Sequence, residues 1–312
     1  MDLNNPEAEG IGLDIGSRVS GRIAGRHGTV SFVTDSQPEI LTITDGGGVT
    51  VYCYRWDPDG EAKAVVHLAH GMGEHARRYD RVACALVGAG YVVYADDHRA
   101  SGRTGAEGSG LGNLGPAGMN GAVDSLHEVI AEVKSRHPAI PFYLVAHSWG
   151  SFMAQRIADR WGSELDGLVL SGSTLLVEDY MPSGDRNAPF QPIATPYDWL
   201  SRDSGEVRRY IDDPWCGFEV AFEPGEMRKL LGPPSHTVPP KLGVLVINGS
   251  DDIVGGLTRG GRALADAYKQ LGLADVAYLK YPGARHELFN ETNRQDVLAD
   301  LVRWLDTRAD ER

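Results

Sequence analysis

From residue 52 onward, short apolar runs alternate with longer amphipathic stretches, and few folds accommodate that alternation. The apolar runs fall at 64–68, 91–95, 142–146, 167–171, 242–248 and 276–281. Val244-Leu245-Val246-Ile247 is the purest of them. A strand with one wet face alternates apolar and polar residues, whereas a strand covered on both faces reads as continuous hydrophobe. Between the runs lie segments with helical periodicity, at 79–87, 121–136, 151–160, 262–271 and 296–307. Strand and helix in strict succession predict an α/β fold: a mostly parallel central sheet with helices on both faces.

The chain before this region has a different character. Val30, Phe32 and Val33, then 40–43 and 49–56, read as strands, with Gly46-Gly47-Gly48 as a turn, and predict antiparallel strands leading into the sheet. Residues 1–28 carry scattered Gly, Asp, Glu and Arg and are expected to form a loosely ordered arm, leaving 29–312 as one domain. Between Ser173 and Lys241 the alternation stops and Pro and aromatic residues accumulate. A structureless loop of that length does not suit a compact domain, so a helical cap insertion is expected at about 174–240.

Composition narrows the function classes. The chain of 312 residues has 30 basic and 43 acidic side chains, a net charge of −13, which repels phosphate backbones and excludes nucleic acid as the expected partner. No apolar stretch approaches the roughly 20 residues that span a bilayer. The N-terminus lacks a basic start followed by an apolar run, so a cytoplasmic location is expected. Three cysteines at wide spacing, Cys53, Cys84 and Cys216, make neither a disulfide framework nor a zinc motif. No His/Cys/Asp cluster has metal-ligand spacing, and neither metal nor cofactor is expected. Composition says nothing of oligomeric state.

Three loops carry chemistry. The run 142–146 leads directly into Ala146-His147-Ser148-Trp149-Gly150 and then a helical stretch. Small-x-Ser-x-Gly between a strand and a helix is the pattern of a nucleophile elbow, in which a tight turn presents the serine and the first helical amides face it. The N–H of Trp149 is thus an expected oxyanion donor. The run 242–248 ends in Gly249-Ser250-Asp251-Asp252, and the run 276–281 is followed by Gly283-Ala284-Arg285-His286. A serine needs a histidine to take its proton, and the histidine needs a carboxylate to hold its tautomer. These loops deliver them in the order Ser148, Asp251 or Asp252, His286, and the spacing alone does not choose between the aspartates. After 64–68 comes His70-Gly71-Met72-Gly73-Glu74-His75, whose glycines permit close backbone approach and whose Met72 N–H is the expected second donor. His67, His70 and His75 read as core or structural residues. His147 is expected to point away from Ser148.

With these residues in view, the chain resembles the bacterial monoacylglycerol lipase and lysophospholipase-like branch of the α/β-hydrolases over roughly residues 50–307. The resemblance rests on His70 to His75 with Arg78-Tyr79, on the elbow, on Gly249-Ser250-Asp251-Asp252 and on Gly283 to Glu287 with Asn290-Glu291. In the insertion it rests on Asp198 to Asp203 and Asp213 to Phe218. It implies an α/β-hydrolase fold and selects Asp252 as the acid. Two departures stand out: Ala146 replaces the first elbow glycine, and Ala100-Ser101 replace Gly-His in the family's Asp-x-Arg-Gly-His-Gly.

The expected activity is hydrolysis of monoacyl esters such as monoacylglycerols through an acyl-enzyme, the partner being a small ester with an apolar arm. Other small monoesters, such as those of aromatic acids, are the alternative, with lysophospholipase, amidase or an inactive binding module behind them. The aromatic insertion offers Trp199, Trp215 and Phe218 as pocket walls. Within 201–229 it holds five basic and seven acidic side chains, which favours neutral substrates over anionic ones.

Overall fold

The computed structural model describes residues 20–25, 28–33 and 37–310, apart from 182, 183, 222 and 224, with backbone alone before residue 37. Its strands are β1 (Ser20–Gly25), β2 (Gly28–Val33), β3 (Glu39–Thr44), β4 (Thr50–Trp56), β5 (Val65–Ala69), β6 (Val92–Asp96), β7 (Phe142–His147), β8 (Gly167–Ser171), β9 (Gly243–Gly249) and β10 (Val276–Tyr281). Its α-helices are α1 (Asp80–Gly88), α2 (Gly102–Glu107), α3 (Gly118–Ser135), α4 (Ser148–Trp161), α5 (Ser204–Asp212), α6 (Arg259–Gln270) and α7 (Arg294–Ala309).

Eight strands form one sheet in the order β10-β9-β8-β7-β5-β6-β4-β3. The six from β5 to β10 run parallel, and β3 and β4 enter antiparallel. Along β7, Phe142, Leu144 and Ala146 join the core beneath α3, α4 and α6, while Tyr143 and Val145 join the core beneath α1 and α7. Both faces of the strand are therefore dry, which is why its sequence shows no polar alternation.

The expected strands are all present, most extended by a residue at the carboxyl end. The ladder continues through a first polar residue such as Asp96 or His147, where an apolar reading stops. The expected antiparallel lead-in holds for β3 and β4 but not for β2. That strand pairs with β1 in a separate two-stranded sheet, which lies against α1 and α7. Residues 20–25, expected within a loose arm, are thus a strand, and residues 1–19 lie outside the described residues.

Among its described residues the insertion contains one α-helix, α5, together with short 3-10 turns at Glu178–Tyr180, Ala188–Phe190 and Glu226–Leu230. Asp203 caps α5, accepting the N–H of Gly205 at 3.0 Å. No helix of the described residues is long and apolar enough to cross a membrane.

Candidate active site

The strand order brings the three loops together. β7 lies between β5 and β8, and β9 and β10 follow, so the loops after β5, β7, β9 and β10 share the carboxyl edge of the sheet. In open α/β sheets this edge is where ligands bind.

Ser148 is the first residue of α4 and sits in the left-handed region, φ 50°. That conformation costs a non-glycine residue about 1–2 kcal/mol and is held here by the packing around the turn. A Cβ on Gly150 would stand 2.4 Å from the carbonyl oxygen of His70, so only glycine lets the elbow sit against the end of β5. Ala146 is fully buried and its methyl joins the core, so the missing elbow glycine leaves the turn intact.

His286 Nε2 lies 2.8 Å from Ser148 Oγ, and its Nδ1 lies 2.9 Å from Asp252 Oδ1. Asp252 is fully buried and also accepts the N–H of Val254 at 2.9 Å and the amide of Asn248 at 3.1 Å. Burial pushes its carboxyl upward, but His286 and these hydrogen bonds outweigh that and hold it below the ordinary carboxylate range. Asp251 is exposed and receives the Ser250 hydroxyl instead.

The loop after β5 is held from several sides. His70 donates from Nδ1 to Gly71 O at 2.8 Å and accepts the His98 N–H on Nε2 at 3.1 Å, an arrangement that needs a neutral ring. Burial, seconded by the nearby His98, keeps its pKa well below the usual histidine value. Gly71 N–H goes to Glu74. Met72 is the next amide along the loop, and Met72 and Trp149 both line the cleft that contains Ser148. Behind the loop, the buried Arg78 bridges Glu74 at 2.6 Å and Glu287 at 2.6 Å, and Glu287 directly follows His286. Burial works against ionising Glu287, yet Arg78 outweighs it and holds its pKa at about 2. The sequence reading missed this bridge, whose members stand 209 residues apart.

His147 does not point clear of the site. Its ring lies 4.6 Å from that of His286. Burial and the neighbouring His286 lower its pKa to about 3, so it is neutral.

The cleft has a volume of about 840 Å³ and is walled by Met72, Phe152, Met181, Trp199, Phe218 and Met227 among others. Trp199 and Phe218 are where the sequence reading expected them. Trp215 is not. Its N–H donates to Asp213 Oδ1 at 2.8 Å in a tight turn that carries the indole away from the cleft and edge-on to His75, 5.6 Å between centroids. Phe190 lies beneath the Arg285 guanidinium, Ile193 is exposed, and Phe222 lies outside the described residues.

The local sequence shows no metal-spaced cluster, but the fold brings His75, Asp213 and Cys216 within 4.8 Å of one another. The hydrogen bond from His75 Nε2 to Asp213 at 2.9 Å accounts for two of the three. The other departure from the family pattern carries a visible cost. Ala100 has φ 66°, a conformation natural to glycine, and the buried Ser101 hydroxyl has no hydrogen-bond partner among the described residues.

An eight-stranded α/β sheet with Ser, His and Asp joined by hydrogen bonds at its carboxyl edge defines a serine hydrolase of the α/β-hydrolase fold. More narrowly, the profile of the family described as serine aminopeptidase, S33, matches residues 60–293, and the chain belongs to that family. It is 31% identical over 272 residues to the monoacylglycerol lipase of Mycolicibacterium smegmatis, covering 83% of this chain and 94% of that one. It is 26% identical over 287 residues to human monoglyceride lipase, covering 85% and 90% respectively. Among solved structures, a thermostable carboxyl esterase from Bacillus coagulans shares the fold with a TM-score of 0.79 at 23% identity, covering 88% of this chain and all of that one.

Proposed function

We propose that this enzyme hydrolyses monoacylglycerols through an acyl-enzyme on Ser148. The observation that carries the reading is the continuous path Asp252–His286–Ser148 opening onto a cleft walled in part by Met, Phe and Trp side chains. Ser148 Oγ attacks the ester carbonyl while His286 Nε2 takes its proton, and Asp252 stabilises the resulting imidazolium. The N–H groups of Met72 and Trp149 receive the oxyanion. His286 then returns the proton to the leaving alcohol, and water repeats the sequence on the acyl-enzyme to release the acid.

The cleft supports the substrate class. Its Met, Phe and Trp walls suit one acyl chain. Its charged lining residues are Asp185, Glu219 and Arg186, an excess of acid that favours a neutral glycerol head over a phosphate. The relative named as a monoacylglycerol lipase points the same way. The three cysteines, Cys53, Cys84 and Cys216, are not joined by disulfides, which supports a reducing, cytoplasmic setting.

The test is a panel of monoacylglycerols, lysophospholipids, aromatic-acid monoesters and aminoacyl anilides of matched size, with fluorophosphonate labelling of wild type and Ser148→Ala. The reading expects labelling lost in the variant and the highest kcat/KM on monoacylglycerols. Labelling that persists in Ser148→Ala would refute the nucleophile, and a preference for anilides or phospholipids would refute the substrate class.

A further inference from the structure

We propose that Trp199, a cap residue, is a positioning residue for the base: its indole holds the His286 imidazole in line between Asp252 and Ser148 and stabilises the imidazolium as it forms. The proposal rests on the reading of Ser148, His286 and Asp252 as a triad.

Two hydrogen bonds fix the nitrogens of His286, but the ring also has a close packing environment. Gly172, at φ 57°, brings bare backbone against it: a Cβ there would stand 2.9 Å from His286 Cε1 and 2.8 Å from His147 Cε1. His147 lies 4.6 Å away, ring to ring. The remaining ring contact comes from the cap. The Trp199 indole lies 5.1 Å from the His286 ring with 33° between their planes, so an aromatic face is turned toward the imidazole.

Trp199 is anchored to the loop that carries the base. Glu287 N–H donates to Leu200 O at 2.7 Å, and the Arg285 guanidinium donates to Asp198 O and Ser201 O. The Ser201 hydroxyl donates to Asn290 O at 2.9 Å, and Arg202 pairs with the buried Glu291 at 2.9 Å. The residues on both sides of His286 are thus bonded to the residues on both sides of Trp199. On the cleft side, Trp199 N–H donates to the Asn187 side chain at 2.9 Å.

A cation within about 6 Å of an indole centroid is attracted by the ring quadrupole. In triad chemistry the base gains its positive charge as it takes the serine proton, so this attraction strengthens toward the transition state. The charged and titratable groups around His286 are Asp252 from the acid loop, His147 from the elbow, Arg285 and Glu287 from its own loop, with Arg78 behind them, and Arg186 from the cap. Asp252 acts through its hydrogen bond, His147 is neutral, and Glu287 is neutralised by Arg78. Arg186 lies over the Trp199 indole at 4.9 Å but is exposed, so solvent screens its charge.

The experiment uses the full chain with p-nitrophenyl acetate, whose acyl group is too short to read the apolar wall. Trp199→Phe keeps an aromatic face, and Trp199→Leu keeps apolar cover without one. Each is judged folded by circular dichroism, with Trp199→Met taking the place of Leu if Leu fails to fold. The expected result for Leu is a kcat about tenfold lower at unchanged KM, with the acid limb of kcat/KM moved about one pH unit lower, and for Phe retention of most of both. A Leu profile that superimposes on wild type, a change confined to KM, or a Phe variant as impaired as Leu would overturn the proposal. Ser148→Ala is measured alongside: wild-type turnover in that variant would sink the triad reading itself, whatever Trp199 does.

Discussion

Glu74 accepts the Gly71 N–H at 2.6 Å, closing the loop that carries Met72 to the cleft. The same carboxylate is buried, receives the Tyr79 hydroxyl at 2.9 Å and depends on Arg78 for its countercharge. Arg78 also serves Glu287, so removing one guanidinium strands two buried carboxylates. Arg78→Met is expected to cost about 3–5 kcal/mol of stability, read from urea unfolding. Its surviving folded fraction should show a lower kcat at nearly unchanged KM, because the loop and the base lean on the same cation. Arg78→Lys should rescue only part of the loss, since an ammonium does not match the fork that Arg78 offers to Glu287.

The two adjacent aspartates make a sharper comparison. Asp252 is buried against His286, whereas Asp251 is exposed and bonded to Ser250. Asp252→Asn keeps the shape but offers His286 Nδ1 the wrong partner, and kcat should fall about ten-thousandfold by analogy with serine proteases. Asp251→Asn should stay within about twofold, as surface changes usually do. Kinetics on one neutral ester decide it, and the reverse ranking would mean the acid has been misassigned.

How much of this was legible beforehand depends on distance along the chain. The elbow, the acid loop and the base loop each follow a strand, so strand periodicity marked Ser148, the pair Asp251-Asp252 and His286. Choosing Asp252 over Asp251 needed the family resemblance, because their spacing is equivalent and only burial separates them. Contacts between distant segments were not legible: Arg78 with Glu287, His147 with His286, and the turn that swings Trp215 onto His75. Aromatic content marked the cap, but which aromatics face the cleft depends on backbone turns such as 213–216. The short helix α2 escaped notice because its six residues, Gly102–Glu107, include two glycines and hold no apolar stripe.

Ala100 tests how the chain tolerates a departure from its family pattern. Its left-handed backbone costs about 1–2 kcal/mol. Glycine would relieve that, but would lose a buried methyl worth about 0.8 kcal/mol and pay about 0.5–1 kcal/mol in unfolded-state entropy. The terms nearly cancel, so Ala100→Gly should lie within about 0.5 kcal/mol of wild type. Ala100→Val should lose about 1–3 kcal/mol, since a branched residue at positive φ is strained. Urea midpoints of the two variants check both figures.

His70 and His147, with a smaller part from the half-exposed His137, set a pH dependence of stability. Both are buried with folded pKa values depressed below the ordinary 6.5. Below that value the unfolded chain binds protons the folded state refuses, so stability is full above pH 6.5 and is lost as pH falls. His147, with its pKa at about 3, should cost about 1.4 kcal/mol per pH unit below that point, or about 2 kcal/mol at pH 5, and His70 adds a loss of the same sign. The lowered carboxyls of Asp252 and Glu287 add nothing in that window, because their unfolded values lie below it. His147→Phe should therefore remove about 2 kcal/mol of the loss between pH 7.5 and pH 5, measured as unfolding free energy at both values. An unchanged slope would show that His147 does not stay neutral in the folded protein.

Phe218 and Trp215 are three residues apart in the cap, yet only Phe218 lines the cleft. Phe218 should therefore affect acyl recognition and Trp215 should not. For a series of neutral monoesters, each buried methylene is expected to add about 0.8 kcal/mol to transition-state binding until the chain fills the cleft. In kcat/KM that is about fourfold per methylene. Phe218→Ala removes part of the wall, so the rise should flatten and long chains should lose most. Trp215→Ala takes the indole off His75 and disturbs the turn bonded to Asp213. It should lower the melting temperature while leaving the chain-length slope at its wild-type value. The comparison is made at fixed temperature, below the transition of the less stable variant. A Trp215→Ala slope as flat as that of Phe218→Ala would mean that the cap turns its indole toward the substrate, and a wild-type slope near zero would mean that no acyl chain lies along these walls.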